Sequence, residues 1–351
     1  MKHKHLPLPF YLMVVVAACN SHTSGMEKKD SVAAAPAVSE SPRHISILDA
    51  EGMNVLDSAA AVDVIAEGYI WAEGPVYVSD SDYLLFSDVP ANKIYKWKQG
   101  NGASVYLEPS GYTGTIPKHK EPGSNGLVID NMRRLVLCQQ GNRQIGRMKS
   151  TLNDPRPVFE TIVSSYQGKK FNSPNDAVYA GNGNLYFTDP PYGLEQGIKD
   201  SSKEIPFQGV FLVKPGSGKA ILVTDKVSYP NGIALSPDNK ILYISNSDND
   251  NKEWIKYELN DQGLIAKESV FYRVSSEEGK LPGNPDGMKV NNRGYIFASG
   301  PGGIWLFNPA GKVLARIYTG EPTSNCWIDQ VHNMLYMTCK SYVMRVKLKP
   351  E

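Results

Sequence analysis

The 351-residue chain has almost no excess charge: 37 lysines and arginines stand against 36 aspartates and glutamates, a net +1 at pH 7. Nucleic-acid binders concentrate positive charge, so this scattered balance sets that partner class aside. Cysteine is equally scarce. Of the four, Cys19 falls in a leader segment, and Cys138, Cys326 and Cys339 are too few for a disulfide framework. Cys326 and Cys339 could face each other across a hairpin, but two buried thiols are the favoured reading. Amphipathic helical runs are not evident, and the apolar run Leu6 to Ala18 is too short for a spanning helix. The chain instead holds 31 glycines, 24 prolines and 10% aromatic residues, a composition that suits a large soluble globular body rather than a disordered or fibrous one.

The first residues have the order of a secretory signal: Met1 to His5 is basic, Leu6 to Ala18 apolar, and the run stops at Val16-Ala-Ala-Cys19. Small residues before a cysteine resemble the lipobox of bacterial lipoproteins. That resemblance implies residues 1–19 as a signal peptide, Cys19 as the lipidated mature N-terminus, and export to the cell envelope with membrane contact through the lipid alone. Residues 20–43 are serine, alanine, proline, lysine and glutamate with almost no large apolar side chains, so they cannot bury enough surface to order themselves. They read as a disordered tether. The folded domain is expected over 44–351.

Within that domain one opening recurs six times. It appears as Trp71-Ala-Glu73-Gly-Pro, Gly123-Ser-Asn125-Gly-Leu, Ser173-Pro-Asn175-Asp, Tyr229-Pro-Asn231-Gly-Ile, Asn284-Pro-Asp286-Gly-Met and Thr323-Ser-Asn325-Cys-Trp, with third residues spaced by 52, 50, 56, 55 and 39. A period near fifty means repeats. A second apolar strand follows each opening, as in Tyr83-Leu-Leu-Phe-Ser-Asp88 or Leu185-Tyr-Phe-Thr-Asp189, and further strands come after it. One Asn-Gly alone would be a plain hairpin turn. Six placed before apolar strands predict an all-β, six-bladed β-propeller with four-stranded antiparallel blades. The segment from His44 to Gly68 can supply outer-strand material to close the ring, which accounts for the short last repeat.

In a propeller the first strand of each blade lines the central channel, so equivalent positions converge. Glu73, Asn125, Asn175, Asn231, Asp286 and Asn325 are expected at one mouth, with loops such as Asp189-Pro-Pro-Tyr192-Gly193 and Asn246-Ser-Asp248 as the rim. Two carboxylates and several amide oxygens, without histidine or cysteine, make a hard-oxygen donor set. It favours one divalent cation, calcium first, with magnesium, manganese or zinc as alternatives, and argues against a histidine- or thiolate-built centre. Two carboxylates brought together without a counter-ion would repel or take up a proton. A cation with open positions can act as a Lewis acid on an ester-like substrate.

The ordered motifs Glu73-Gly-Pro, Ser124-Asn-Gly-Leu127, Asn172-Ser-Pro-Asn-Asp176, Tyr186-Phe-Thr-Asp-Pro-Pro-Tyr-Gly193, Pro206-Phe-Gln-Gly-Val210, Pro230-Asn-Gly232 and Pro285-Asp-Gly-Met288 resemble the gluconolactonase family, related to senescence marker protein (regucalcin) and luciferin-regenerating enzyme. The resemblance runs from about Ile65 to the C-terminus. It implies a six-bladed propeller that hydrolyses sugar lactones with one divalent metal. Carried over by residue, it implies Glu73, Asn231 and Asp286 as metal ligands, Asp286 also as general base, and Asn175 touching water or substrate. Asn125 and Tyr192 are expected to orient the sugar hydroxyls, and the chain is expected as a monomer. Two departures stand out. Gln139-Gln140-Gly141 replaces a Glu-His-Gly of many bacterial relatives, removing an imidazole from the rim, and Asn325-Cys326-Trp327 replaces smaller residues and is expected to narrow the channel.

Other candidates carry less. Asp248-Asn-Asp250 lacks the glycine and distal glutamate of a calcium loop. His119 and His332 read as surface residues, and Ser124 and Ser173 have no histidine placed to activate them. The alternative functions are an envelope-anchored propeller that binds carbohydrate or an ion without turnover, and a hydrolase of another ester.

Overall fold

The computed structural model describes residues 43–116 and 120–350. The expected signal segment, Cys19, nearly all of the tether and His119 lie outside the described residues. The described chain forms six antiparallel sheets of four or five strands arranged as a six-bladed propeller, together with a separate two-stranded ribbon of Ser165–Tyr166 and Lys169–Lys170. Among the described residues the only helical elements are three short 3-10 turns.

Blade 1 runs from its inner strand Ala72–Val78 through Tyr83–Asp88 and Lys93–Lys98 to Gly102–Leu107. Blades 2, 3 and 4 repeat the pattern from inner strands Ser124–Ile129, Ala177–Tyr179 and Pro230–Leu235. Blade 5 begins at Met288–Val290 and blade 6 at Asn325–Asp329. The last repeat is short because its outermost strand comes from the other end of the domain: Asp63–Glu67 pairs with Tyr342–Lys347, aligning Asp63 with Arg345 and Glu67 with Tyr342. One strand exceeds the expectation of four per blade. His44–Ile47 pairs with Val313–Tyr318 and gives blade 5 a fifth strand.

The second strands are apolar without alternation because both faces are covered by neighbouring blades. In blade 3, Phe187 joins the core shared with blade 2, while Tyr186 joins the core shared with blade 4. Six such apolar clusters fill the six blade-to-blade seams. Each fully buried Phe or Leu contributes about 1.5–3 kcal/mol on burial, so the ring is held mainly between blades. Cys138, Cys326 and Cys339 are buried free thiols. The Cys326 side chain points into the seam between blades 5 and 6, so it does not narrow the channel as expected.

The glycine after each site residue has a different job from a hairpin turn. A Cβ on Gly232 would lie 2.1 Å from the Asp286 carbonyl oxygen, and one on Gly74 would lie 2.2 Å from the Asn125 carbonyl oxygen. At these glycines the neighbouring inner strands approach too closely for a side chain.

Candidate functional site

In blades 1, 3 and 4 the inner strand is fixed at its opening by a side chain at or near the end of the blade's second strand. The Asp88 carboxylate accepts the backbone N–H groups of Ile70 and Trp71 at 3.1 Å each. Asp189 accepts those of Asn172 and Ser173 at 2.8 Å each, and Asn246 Oδ1 accepts that of Tyr229 at 3.0 Å. The hydroxyl one residue earlier reaches across the seam to the next blade. Ser87 Oγ donates to the Asn125 carbonyl (2.9 Å), Thr188 Oγ1 to that of Asn231 (2.6 Å) and Ser245 Oγ to that of Asp286 (2.8 Å). In blade 2 this position is Cys138, and the Asn175 carbonyl is instead met by Gly126 N–H at 2.7 Å. A belt of short bonds thus sets the backbone of successive site residues.

At one mouth of the channel lies a cavity of 510 Å³, large enough for a monosaccharide-sized ligand. Glu73, Asn125, Asn175, Tyr192, Asn231 and Asp286 all line it. Asn325, expected there too, does not. Its amide turns along the axis, with Nδ2 donating to Asp176 Oδ2 (3.3 Å) and Oδ1 accepting from Lys289 Nζ (3.3 Å). Lys289 Nζ also lies 3.5 Å from Asp176 Oδ2 and donates to the Met288 carbonyl at 3.0 Å. This buried ion pair was not foreseen. Asp176 stands where other blades carry the close-approach glycine, the one signal that could have revealed it. On the far side of the pair, Lys289 lines a second cavity of 400 Å³ walled by Val76, Val128, Leu235 and Trp327.

Several oxygens in the upper cavity are poised to bind something. Asn125 Oδ1 and Asp286 Oδ1 are buried and have no hydrogen-bond partner among the described residues. Such orphans are uncommon in folded proteins and mark places where an ion or ligand belongs. Asn231 donates through Nδ2 to Ser247 Oγ at 3.0 Å, which leaves its Oδ1 to act as a donor atom elsewhere. Ser247 Oγ is itself anchored on the Pro285 carbonyl. Burial pushes the Glu73 carboxyl up to about 8 against the stabilising Gly74 N–H, with the Asp176 charge adding to the rise. Burial, then the Glu73 charge, hold the Asp286 carboxyl well above the usual carboxylate range. Buried side by side, the two disfavour ionising together without a cation. Among the described residues no three His, Cys, Asp or Glu side chains group as a metal centre, so a cation would need amide oxygens as well.

Residues that the motif reading passed over also line the cavity, notably Glu121, Lys252 and residues 281–283. Gln140, expected at the rim, is instead fully buried beside Gly193. His332 bonds Asp329 at 2.7 Å in the final hairpin. Ser124 Oγ pairs with Ser87 Oγ, and Ser173 Oγ with the Pro190 carbonyl and Gly193 N–H, so neither meets a histidine.

Residues 71–341 match the family described as SMP-30/Gluconolactonase/LRE-like region. A gluconolactonase from Zymomonas mobilis is 39% identical over 301 residues, covering 84% of this chain and 83% of that protein. The solved structure of a gluconolactonase from Xanthomonas campestris superimposes with a TM-score of 0.74 at 27% identity, covering 87% of this chain and 95% of that one. A calcium-binding regucalcin from Agrobacterium tumefaciens shares the fold, with a TM-score of 0.63 at 15% identity over 83% of this chain and 96% of that one. The motif order, the six blades and the match over most of the chain place this protein in the SMP-30/gluconolactonase/LRE-like family.

Proposed function

We propose that the protein hydrolyses a sugar lactone of the gluconolactone type to the open aldonic acid. The observation that carries this reading is the convergence of Glu73, Asn231 and Asp286 on one sugar-sized cavity, with Asp286 Oδ1 unpartnered among the described residues. The 39% identity to a gluconolactonase over most of both chains supports the same reaction.

Glu73, Asn231 and Asp286 would hold one divalent cation, calcium by preference for all-oxygen donors. When bound, such an ion supplies Lewis-acid polarisation of a carbonyl. Ser247 holds the Asn231 amide through its Nδ2, which leaves the amide oxygen available to a cation. Asp286 takes a proton from the attacking water through Oδ1. Asn125, Asn175 and Tyr192 orient the sugar hydroxyls. Burial keeps the Tyr192 phenol protonated, so its O–H is available to donate to a sugar oxygen. The lipid on Cys19 would hold the enzyme in the cell envelope, where a small neutral lactone can reach it; labelling with a radioactive fatty acid, lost on Cys19→Ala, checks the anchor.

The deciding assay is lactone hydrolysis before and after chelation, with calcium, magnesium, manganese and zinc returned separately. Activity lost with the chelator and restored by one cation supports the reading. Cation and sugar binding without turnover would identify a binding propeller instead.

A further inference from the structure

Opening a lactone ring leaves an alkoxide that must gain a proton, and of the residues assigned above only the Tyr192 phenol carries one, which burial makes a weak acid. Asp286 is used at the water, and Glu73 and Asn231 face the cation. Lys252 lines the cavity, but its ammonium is drawn to the Gly279 and Gly283 carbonyls at 3.3 and 3.4 Å. Glu121 remains. It lines the same cavity, on the corner that leads into blade 2, where Gly123 N–H is anchored on the Val89 carbonyl at 2.9 Å and Pro122 stiffens the turn.

We propose that Glu121 is a catalytic residue of this site, the general acid that protonates the ring oxygen as the lactone opens. The inference rests on the lactonase reading and deepens it. In the step, water oxygen bonds the carbonyl carbon and one water proton goes to Asp286. The bond from the carbonyl carbon to the ring oxygen breaks, and the Glu121 proton goes to that oxygen, which becomes the product hydroxyl. Glu121 ends ionised and Asp286 protonated; exchange with water restores both, and lactone plus water gives hydroxy acid.

Three features suit Glu121 to this role. Burial pushes its carboxyl up to about 7 against the opposing charge of Lys120. That rise brings the carboxyl toward the working pH, where a proton donor is most effective. The ionisable groups facing it from the rest of the cavity are Glu73, Asp286, Tyr192 and Lys252. The charge of Glu121 is felt at Asp286 and Tyr192. It also stands outside the set of residues assigned to the cation.

The test compares two leaving groups in the full chain. An aliphatic δ-lactone expels a poor alkoxide that needs a proton, whereas dihydrocoumarin expels a phenolate that needs little help. For Glu121→Gln the expected result is a fall in kcat of about 10²-fold on the aliphatic lactone, a much smaller fall on dihydrocoumarin, and an unchanged calcium-binding midpoint by titration calorimetry. Glu121→Asp should recover part of the aliphatic rate. Equal losses on both substrates, or a shifted calcium midpoint, would overturn the assignment and make Glu121 a positioning residue. Wild-type protein inactive on both lactones with every cation would instead sink the lactonase reading, and this step with it.

Discussion

At the residue scale the site depends on side chains whose free atoms are defined by what their other atoms do. Asn231 is oriented by Ser247, and removing that hydroxyl lets the amide rotate. Ser247→Ala should weaken cation binding by about 10- to 100-fold, as loss of supporting hydrogen bonds does at metal sites, while the melting profile of the cation-free protein stays close to wild type; titration calorimetry reads the difference. Asp286→Ala should remove both a cation ligand and the base. Lactone hydrolysis is expected to drop at least 10²-fold with an unchanged circular dichroism spectrum, and full activity in that variant would remove the scheme. The cavity positions of Glu73, Asn125, Asn175, Asn231 and Asp286 were readable because repetition marks them: each opens a repeat. Glu121 was not, because Lys118-His119-Lys120 before it makes the stretch look like a solvated charge run. Lys289 was hidden differently, as an ordinary strand residue whose partner Asp176 lies more than a hundred positions away.

At the element scale, the short inner strands are set less by their own ladders than by the strands beside them. The hydroxyl belt from Ser87, Thr188 and Ser245 and the close passage at Gly232 act on the same backbone. Gly232→Ala would drive a methyl to within 2.1 Å of the Asp286 carbonyl oxygen. The expected cost is about 3 kcal/mol or more, at or above the usual range for overpacking because backbone must shift, seen as a lower denaturation midpoint together with weaker cation binding. Strand order and blade count followed from the period and from apolar runs separated by turn residues. Two features did not. Asn-Gly pairs have the same letters whether they turn a hairpin or let two strands pass, and only the assembled ring distinguishes them. The pairing of His44–Ile47 with Val313–Tyr318 joins segments nearly the whole domain apart, with no local signal in either.

At the scale of the whole molecule, buried carboxyls tie stability to pH. Asp189 is pushed up to about 7 by burial, and Glu73 to about 8. Both sit above their unfolded values, so the folded state holds their protons more tightly. Their contribution is full below about pH 4, declines as pH rises through 7 to 8, and is flat beyond. Depressed groups such as Asp200 and Asp238 act in the opposite sense but are solvent-exposed and screened. The cation-free protein should therefore melt at a lower temperature at pH 8 than at pH 5.5. Calcium should raise the melting temperature more at pH 8, where the ligands are ready to ionise; scanning calorimetry at both pH values, with and without calcium, checks the sign.

The Asp176–Lys289–Asn325 contacts have a consequence for traffic. They stand as a bolt between the two cavities, so the ring is a cup with a closed floor and not a pipe. Whatever enters beside Tyr192 must leave past Tyr192, and the newly opened acid, carrying a charge its parent lacked, has to retreat along the path the next lactone needs.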